Sequence, residues 1–335
     1  MEILVMLACT LSTGLVWGAF YLINGPRLAR QRKESLLAKP RSPKVARSGV
    51  TTAAHAQSVG DFYDATTDAF LKVYGDVIQA FRTRDLGNLL GYQAQTMQLK
   101  PGMRALDAGC GVCGPAIYFA QHQGVSVDAI TASAVQQKEA LQRIQAAHLQ
   151  DRIKVVQGDY HRLGEHFPAG NYDVVYFLES FGHSPDKAAA IASAWEMLKP
   201  GGMLYIKDLF VKEPAIPSHA AEIQQNVARI NEAYRYHVGD LNEVLTAIRR
   251  QGYILSALKT IDIPLEDFEN LTISNDFQEL TGIHRIDNLQ AYLFPVDFFE
   301  LICIKPWHDL SVGNSRYFLQ NLYYLKVQGK AEAEL

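Results

Sequence analysis

An apolar run that ends in closely spaced glycines and then turns helical is compatible with few folds, and this chain has one at 104–114, RALDAGCGVCG. A β-type run through Ala108 enters Gly109-x-Gly111-x-x-Gly114, and a helical pattern follows over 114–122. Such glycines permit a tight turn and close approach of a ligand to the backbone, while the helix start presents free N–H groups. Further β-type runs at 125–130, 153–156, 173–178 and 203–207 alternate with helical patterns at 133–148 and 186–198. This spacing predicts a doubly wound, Rossmann-like α/β fold with helices on both faces of a parallel sheet. Runs at 253–261 and 298–304 bring the expected sheet to seven strands, mostly parallel. The helical 216–235 and the polar, aromatic insert 264–295 are expected to form a lid over the carboxyl ends of the strands.

At roughly 150 residues per domain, the 335 residues correspond to one large α/β domain plus appendages. A net charge of −3 argues against nucleic acid as a partner, because phosphate binding needs a concentrated basic face. Four scattered cysteines do not form a disulfide framework. Cys110 and Cys113 make a C-x-x-C, yet no second ligand pair stands at metal-site spacing, so no metal site is expected there.

The amino terminus reads as a separate device. Residues 3–23 are 21 uncharged residues, enough as a helix to cross a bilayer core of about 30 Å. Residues 27–47 then carry eight basic residues against one acid, Glu34. The positive-inside rule therefore predicts a single-pass transmembrane anchor over 1–25, with a basic linker at 26–57 and a catalytic-sized domain at 58–335 on the cytoplasmic side.

Dinucleotides and other nucleoside ligands both suit a loop of this kind, and Asp107 discriminates between them. A carboxylate two residues before the first glycine repels a pyrophosphate and attracts a ligand bearing an ammonium and a sulfonium. S-adenosylmethionine carries both.

LDAGCGVCG, ITASAVQ, QGDY, YDVVYFLESFGH and LKPGGMLYIKD occur in the order found in class I S-adenosylmethionine-dependent methyltransferases, which residues 58–305 resemble. DFYDATTDAFLKVYG at 61–75 and FLESFGH at 177–183 are most similar to the branch of sterol, geranyl diphosphate and tocopherol methyltransferases and cyclopropane synthases. The resemblance implies that Asp107, Gly109, Cys110 and Gly111 contact the methionine portion of S-adenosylmethionine. It further implies that Thr131, Ser133 and Gln136 serve the ribose, and that Asp159 and Tyr160 serve the adenine. Ser133 is equally placed to cap a helix, and Asp159 to make a turn.

By the same resemblance Glu179 and His183, after the fourth strand, stand near the acceptor, where a carboxylate could stabilise a carbocation or take its proton. Tyr63, with Tyr74, Phe62 and Phe181, is a candidate for cation stabilisation by an aromatic face, whereas Tyr176 is expected in the sheet core. The acceptor expected is hydrophobic: carbon of an isoprenoid, terpenoid or sterol-like lipid, the alternative being a prenylated quinol or a small-molecule O or N atom. A diphosphate acceptor would call for Mg²⁺ and basic residues, for which Arg229, Arg235, Arg249 and Arg250 are available. His219, His237 and His284 are expected at the surface.

Overall fold

The computed structural model describes residues 51–260 except 81 and 84, together with 282, 286, 288 and 292–307. The expected anchor, most of the linker and most of the 264–295 insert lie outside the described residues. Among the described residues no helix is long and apolar enough to cross a membrane.

Helices α1 (Thr52–Tyr74) and α2 (Leu86–Thr96) precede the sheet. They are followed by β1 (Arg104–Ala108), α3 (Gly114–Gln123), β2 (Ser126–Thr131), α4 (Ala134–Ala146), β3 (Ile153–Gln157) and β4 (Tyr172–Leu178). Next come α5 (Lys187–Met197), β5 (Leu198–Val211), α6 (Ala220–Tyr234), α7 (Leu241–Gln251), β6 (Ile254–Lys259) and β7 (Val296–Ile304). The seven strands lie in the order β3-β2-β1-β4-β5-β7-β6. Strands β1 to β5 pair in parallel, and β7 runs antiparallel to both β5 and β6. The strand order reverses between β1 and β4, and in open α/β sheets ligands bind at the carboxyl ends of the strands at such a point.

Side chains of β4 alternate between two apolar layers. Val174, Tyr176 and Leu178 pack with Phe119 of α3, whereas Val175 and Phe177 pack with Ile191 and Met197 of α5. Tyr176 is therefore in the core, as its position in a central strand predicts.

Two boundaries differ most from the sequence expectation. The linker was expected to run to residue 57, but α1 begins at Thr52, whose preceding residue Thr51 accepts from the Ala54 amide at 3.3 Å. Ala53, Ala54 and Ala56 are good helix formers, so the first turns continue into the amphipathic part of the helix. Strand β5 reaches Val211, well beyond 207, because β7 pairs with it as far as Val211 and Val296. Helices α2 and α7 did not stand out in the sequence: α2 contains two glycines, and α7 follows directly on the expected lid helix.

Candidate active site

A cavity open to solvent lies against the ends of β1 and β4. Its floor is the glycine loop. Gly109 has φ +106°, and a Cβ there would lie 2.4 Å from the Cβ of Ser180, so the loop after β4 packs where a side chain would stand. The amides of Gly109 and Cys110 donate to the Ile130 carbonyl at 3.0 and 2.9 Å, which ties the loop to the end of β2. Helix α3 has no side-chain cap, leaving the N–H groups of its first turn without one. Cys110 lines the cavity, and burial pushes its thiol well up, so it stays protonated near pH 7.

Of the buried carboxylates that face this space, two stand at the ends of β1 and β3. Asp107 is 2% exposed, and burial pushes its carboxyl up to about 7, an effect opposed by the neighbouring Tyr176 hydroxyl. Its Oδ2 has no hydrogen-bond partner. At Asp159, burial raises the carboxyl, but the hydrogen bonds and charge of His161 outweigh that and hold it below the usual range. Asp159 Oδ1 meets the His161 amide at 2.9 Å and Nδ1 at 2.5 Å, while its Oδ2 has no hydrogen-bond partner. A ligand with an ammonium at one end and an amino-bearing base at the other would complete both orphaned oxygens. S-adenosylmethionine has this chemistry, so the residues present fit it.

Thr131, Gln136 and Tyr160 also line the cavity. Thr131 Oγ1 donates to Gln136 Oε1 at 2.8 Å, and the Tyr160 hydroxyl donates to the Ser180 carbonyl at 3.1 Å. Ser133 departs from the expectation of ribose contact. It is wholly buried, does not line the cavity, and caps α4 by accepting from the Gln136 amide at 3.0 Å. Its hydroxyl donates to Asp64 of α1 at 2.5 Å, and Asp64 also accepts from the Val135 amide at 3.0 Å. Ser133 therefore fastens α1 to the start of α4.

The candidate acceptor residues come together. His183 Nδ1 lies 3.1 Å from the Arg235 carbonyl, which can only accept, so Nδ1 carries the proton. The Tyr63 hydroxyl then donates to His183 Nε2 at 3.0 Å. Burial lowers the His183 pKa to about 3 and pushes that of Tyr63 well up, so both are neutral near pH 7. The Tyr236 ring covers His183 at 4.0 Å, and its hydroxyl donates to the Glu179 carbonyl at 3.1 Å. Phe62 and Phe70 lie 5.2 and 5.3 Å from the Tyr63 ring.

Glu179 lines the cavity with φ +57°, a left-handed conformation uncommon outside glycine. Its carboxylate is engaged: Oε2 accepts from the Ala80 amide at 2.6 Å, and Oε1 is paired with the fully buried Lys207. The next residue of β5, Asp208, holds the loop that carries His183 by accepting from the Gly182 amide at 2.8 Å. Lys187 donates to the carbonyls of Phe181 and Gly182 at 2.7 and 3.1 Å.

Among the described residues no Lys or Arg lines the cavity, and Arg229, Arg235, Arg249 and Arg250 are exposed elsewhere. No cluster of three or more His, Cys, Asp or Glu among the described residues could hold a metal ion. His237 packs edge-on against His55, with ring centroids 4.4 Å apart, while His284 lies outside the described residues. Sequence reasoning missed His55, Asp76, Gln79 and His161 in the wall and Lys207, Asp208 and Tyr236 behind it. The one legible signal was Lys207-Asp208, two adjacent charges inside the otherwise apolar run 203–211.

A methyltransferase domain family matches residues 106–206. The chain is 28% identical to a sterol 24-C-methyltransferase of Gibberella zeae over 55% of its own length and 46% of that protein's. It is thus similar to less than half of that relative. It is 30% identical to the 27-O-demethylrifamycin SV methyltransferase of Amycolatopsis mediterranei over 58% of its own length and 72% of that protein's. In fold it is similar to the geranyl diphosphate C-methyltransferase of Streptomyces coelicolor, whose crystal structure holds Mg²⁺, geranyl diphosphate and S-adenosyl-L-homocysteine. That likeness has a TM-score of 0.57 at 15% identity, covering 80% of this chain and 100% of the other. With a glycine loop at the switch point, two carboxylates awaiting a cationic nucleoside, and kinship extending over most of a known methyltransferase, the chain belongs to the class I S-adenosylmethionine-dependent methyltransferases.

Proposed function

We propose that the protein methylates carbon of a neutral isoprenoid- or sterol-like lipid, with Tyr63 and His183 receiving the proton that the product must lose. The neutral dyad carries this reading: Tyr63 donates to a His183 Nε2 that is bare, buried and fixed in one tautomer by the Arg235 carbonyl.

When bound, S-adenosylmethionine supplies an electrophilic methyl group on a sulfonium. Asp107, Gly109, Cys110 and Gly111 would hold its methionine portion, Thr131 and Gln136 its ribose, and Asp159 and Tyr160 its adenine. The Tyr63 oxygen takes a proton from the acceptor while its own passes to His183 Nε2, so no charged base has to be buried beforehand. The ring of Tyr63, which lines the cavity with Phe62 and Phe70 packed against it, lowers the energy of positive charge near the dyad without bonding to it. The cavity wall lacks Lys and Arg among the described residues, which favours a neutral acceptor over a diphosphate and gives Mg²⁺ no part in this reading. A membrane seat through residues 1–25, with the domain on the cytoplasmic side, belongs to the same proposal and would suit a lipid acceptor.

A hydroxyl acceptor, such as a prenylated quinol, is the second reading. Its support is the relative whose name specifies an O-demethylated substrate, together with a His183 Nε2 that is unprotonated and within reach of the cavity through Tyr63. The test incubates the protein with membrane lipids and S-adenosylmethionine labelled in its methyl group, then treats labelled product with hydriodic acid. Label retained on carbon supports the first reading. Label released as methyl iodide sinks it in favour of the second.

A further inference from the structure

The segment joining α1 to α2 forms part of the cavity wall. Asp76, Ile78 and Gln79 line it, and a Cβ on Gly114 would lie 2.1 Å from the Asp76 carbonyl oxygen. Ile78 Cδ1 is 3.8 Å from where a Cβ on Gly111 would stand. Residues 76–80 therefore roof the glycine loop, but they form neither helix nor strand, so side chains must hold them in place.

Two anchors do so. Arg82 Nη1 donates to the carbonyls of Tyr74 and Val77 at 2.8 and 2.9 Å. The second anchor is ionic and lies beneath the roof. Lys207 pairs with Glu179 Oε1 and donates to Gln79 Oε1 at 2.7 Å. Glu179 Oε2 accepts from the Ala80 amide at 2.6 Å, and Gln93 Nε2 donates to Gln79 Oε1 at 2.7 Å. Lys207 and Gln93 are wholly buried and Gln79 is 1% exposed, so the bonds among these side chains are shielded from water. A buried ion pair contributes little net stability, because desolvation offsets the attraction, but losing one partner strands the other charge. Both charged ends here grip consecutive residues of the roof.

We infer that Lys207 and Glu179 are positioning residues whose charge pair sets residues 76–80 over the glycine loop, and through them the affinity for S-adenosylmethionine. The inference rests on the family assignment. It gives Glu179 a task other than the acceptor chemistry expected from its place after β4.

The test is calorimetric titration of the full chain with S-adenosylmethionine and, separately, S-adenosylhomocysteine, with steady-state kinetics alongside. Lys207→Met should weaken binding of both about tenfold or more, because it leaves Glu179 as an uncompensated buried charge. Adding Glu179→Gln to that variant should recover part of the loss, since no charge is then stranded. Gln79→Leu, which keeps both charges, should weaken binding as well, and carries the test if Lys207→Met does not fold. In each variant the dissociation constant should change by a larger factor than turnover at saturating S-adenosylmethionine. Wild-type affinity in both Lys207→Met and Gln79→Leu would overturn the clamp. So would a Glu179→Gln protein that binds normally yet loses turnover, which would return the carboxylate to the acceptor. If the wild-type chain itself binds neither ligand, the family assignment fails first, and the clamp with it.

Discussion

The Tyr63 hydroxyl donates to His183 Nε2 at 3.0 Å, joining residues 120 positions apart in the chain. Tyr63 stands on α1, before the sheet begins, and His183 on the 3-10 turn Phe181–His183 after β4. If this pair moves the proton, Tyr63→Phe and His183→Ala should each lower turnover about a hundredfold or more while S-adenosylmethionine still binds. Single-turnover kinetics at saturating cofactor checks this. A rate within threefold of wild type in either variant would remove the dyad from the chemistry.

Cofactor affinity should depend on pH through Asp107. Burial holds its carboxyl at about 7 in the free protein, and a cationic ligand favours the ionised form. Affinity should therefore be full above pH 7 and fall as pH drops below it, by up to about tenfold per unit. Titrations from pH 5.5 to 8.5 should show this slope in the wild type and a weak, flat response in Asp107→Asn. His183 adds no break near its ordinary value, because burial keeps it neutral down to about 3.

Gly109→Ala should abolish cofactor binding. The added methyl would lie 2.4 Å from Ser180 Cβ, and φ +106° is unfavourable for any side chain. Displacement of either loop deforms the floor of the cavity. Retained binding would show that the loop after β4 yields without cost.

Asp208→Ala should lower unfolding free energy by about 2–4 kcal/mol, because the buried Gly182 and Leu209 amides lose their acceptor and Lys187 loses a neighbouring charge. Urea denaturation measures the loss. Ser133→Ala should cost less, about 1 kcal/mol, since it removes one helix cap and its bond to Asp64.

Much of the sheet was legible because period-two runs and glycine punctuation are local signals, and β1 to β4 fall within about a residue of where those runs place them. Asp107, Gly109, Thr131 and Asp159 were legible for a related reason: each sits at a strand end, and strand ends at the switch point gather in space. Ser133 was ambiguous from the start, since a hydroxyl before a helix can cap it or face a ligand, and only the approach of Asp64 from α1 selects the cap. His55 was hidden inside an Ala- and Ser-rich stretch that reads as linker, and becomes part of the wall only once α1 is laid across the sheet.

The sequence by itself determined the order of the strands and of most helices, the place of the glycine loop and the acid that stands beside it. These depend on neighbouring residues: backbone freedom at glycine, alternation along a strand, a carboxylate beside a turn. Only the tertiary structure decided what Glu179 and His183 touch. The charge on Glu179 is met by Lys207 from the adjacent strand, and the tautomer of His183 is set by a carbonyl at the end of α6. Both are contacts between distant segments, and the electrostatic environment of a buried group depends on what surrounds it in space rather than along the chain.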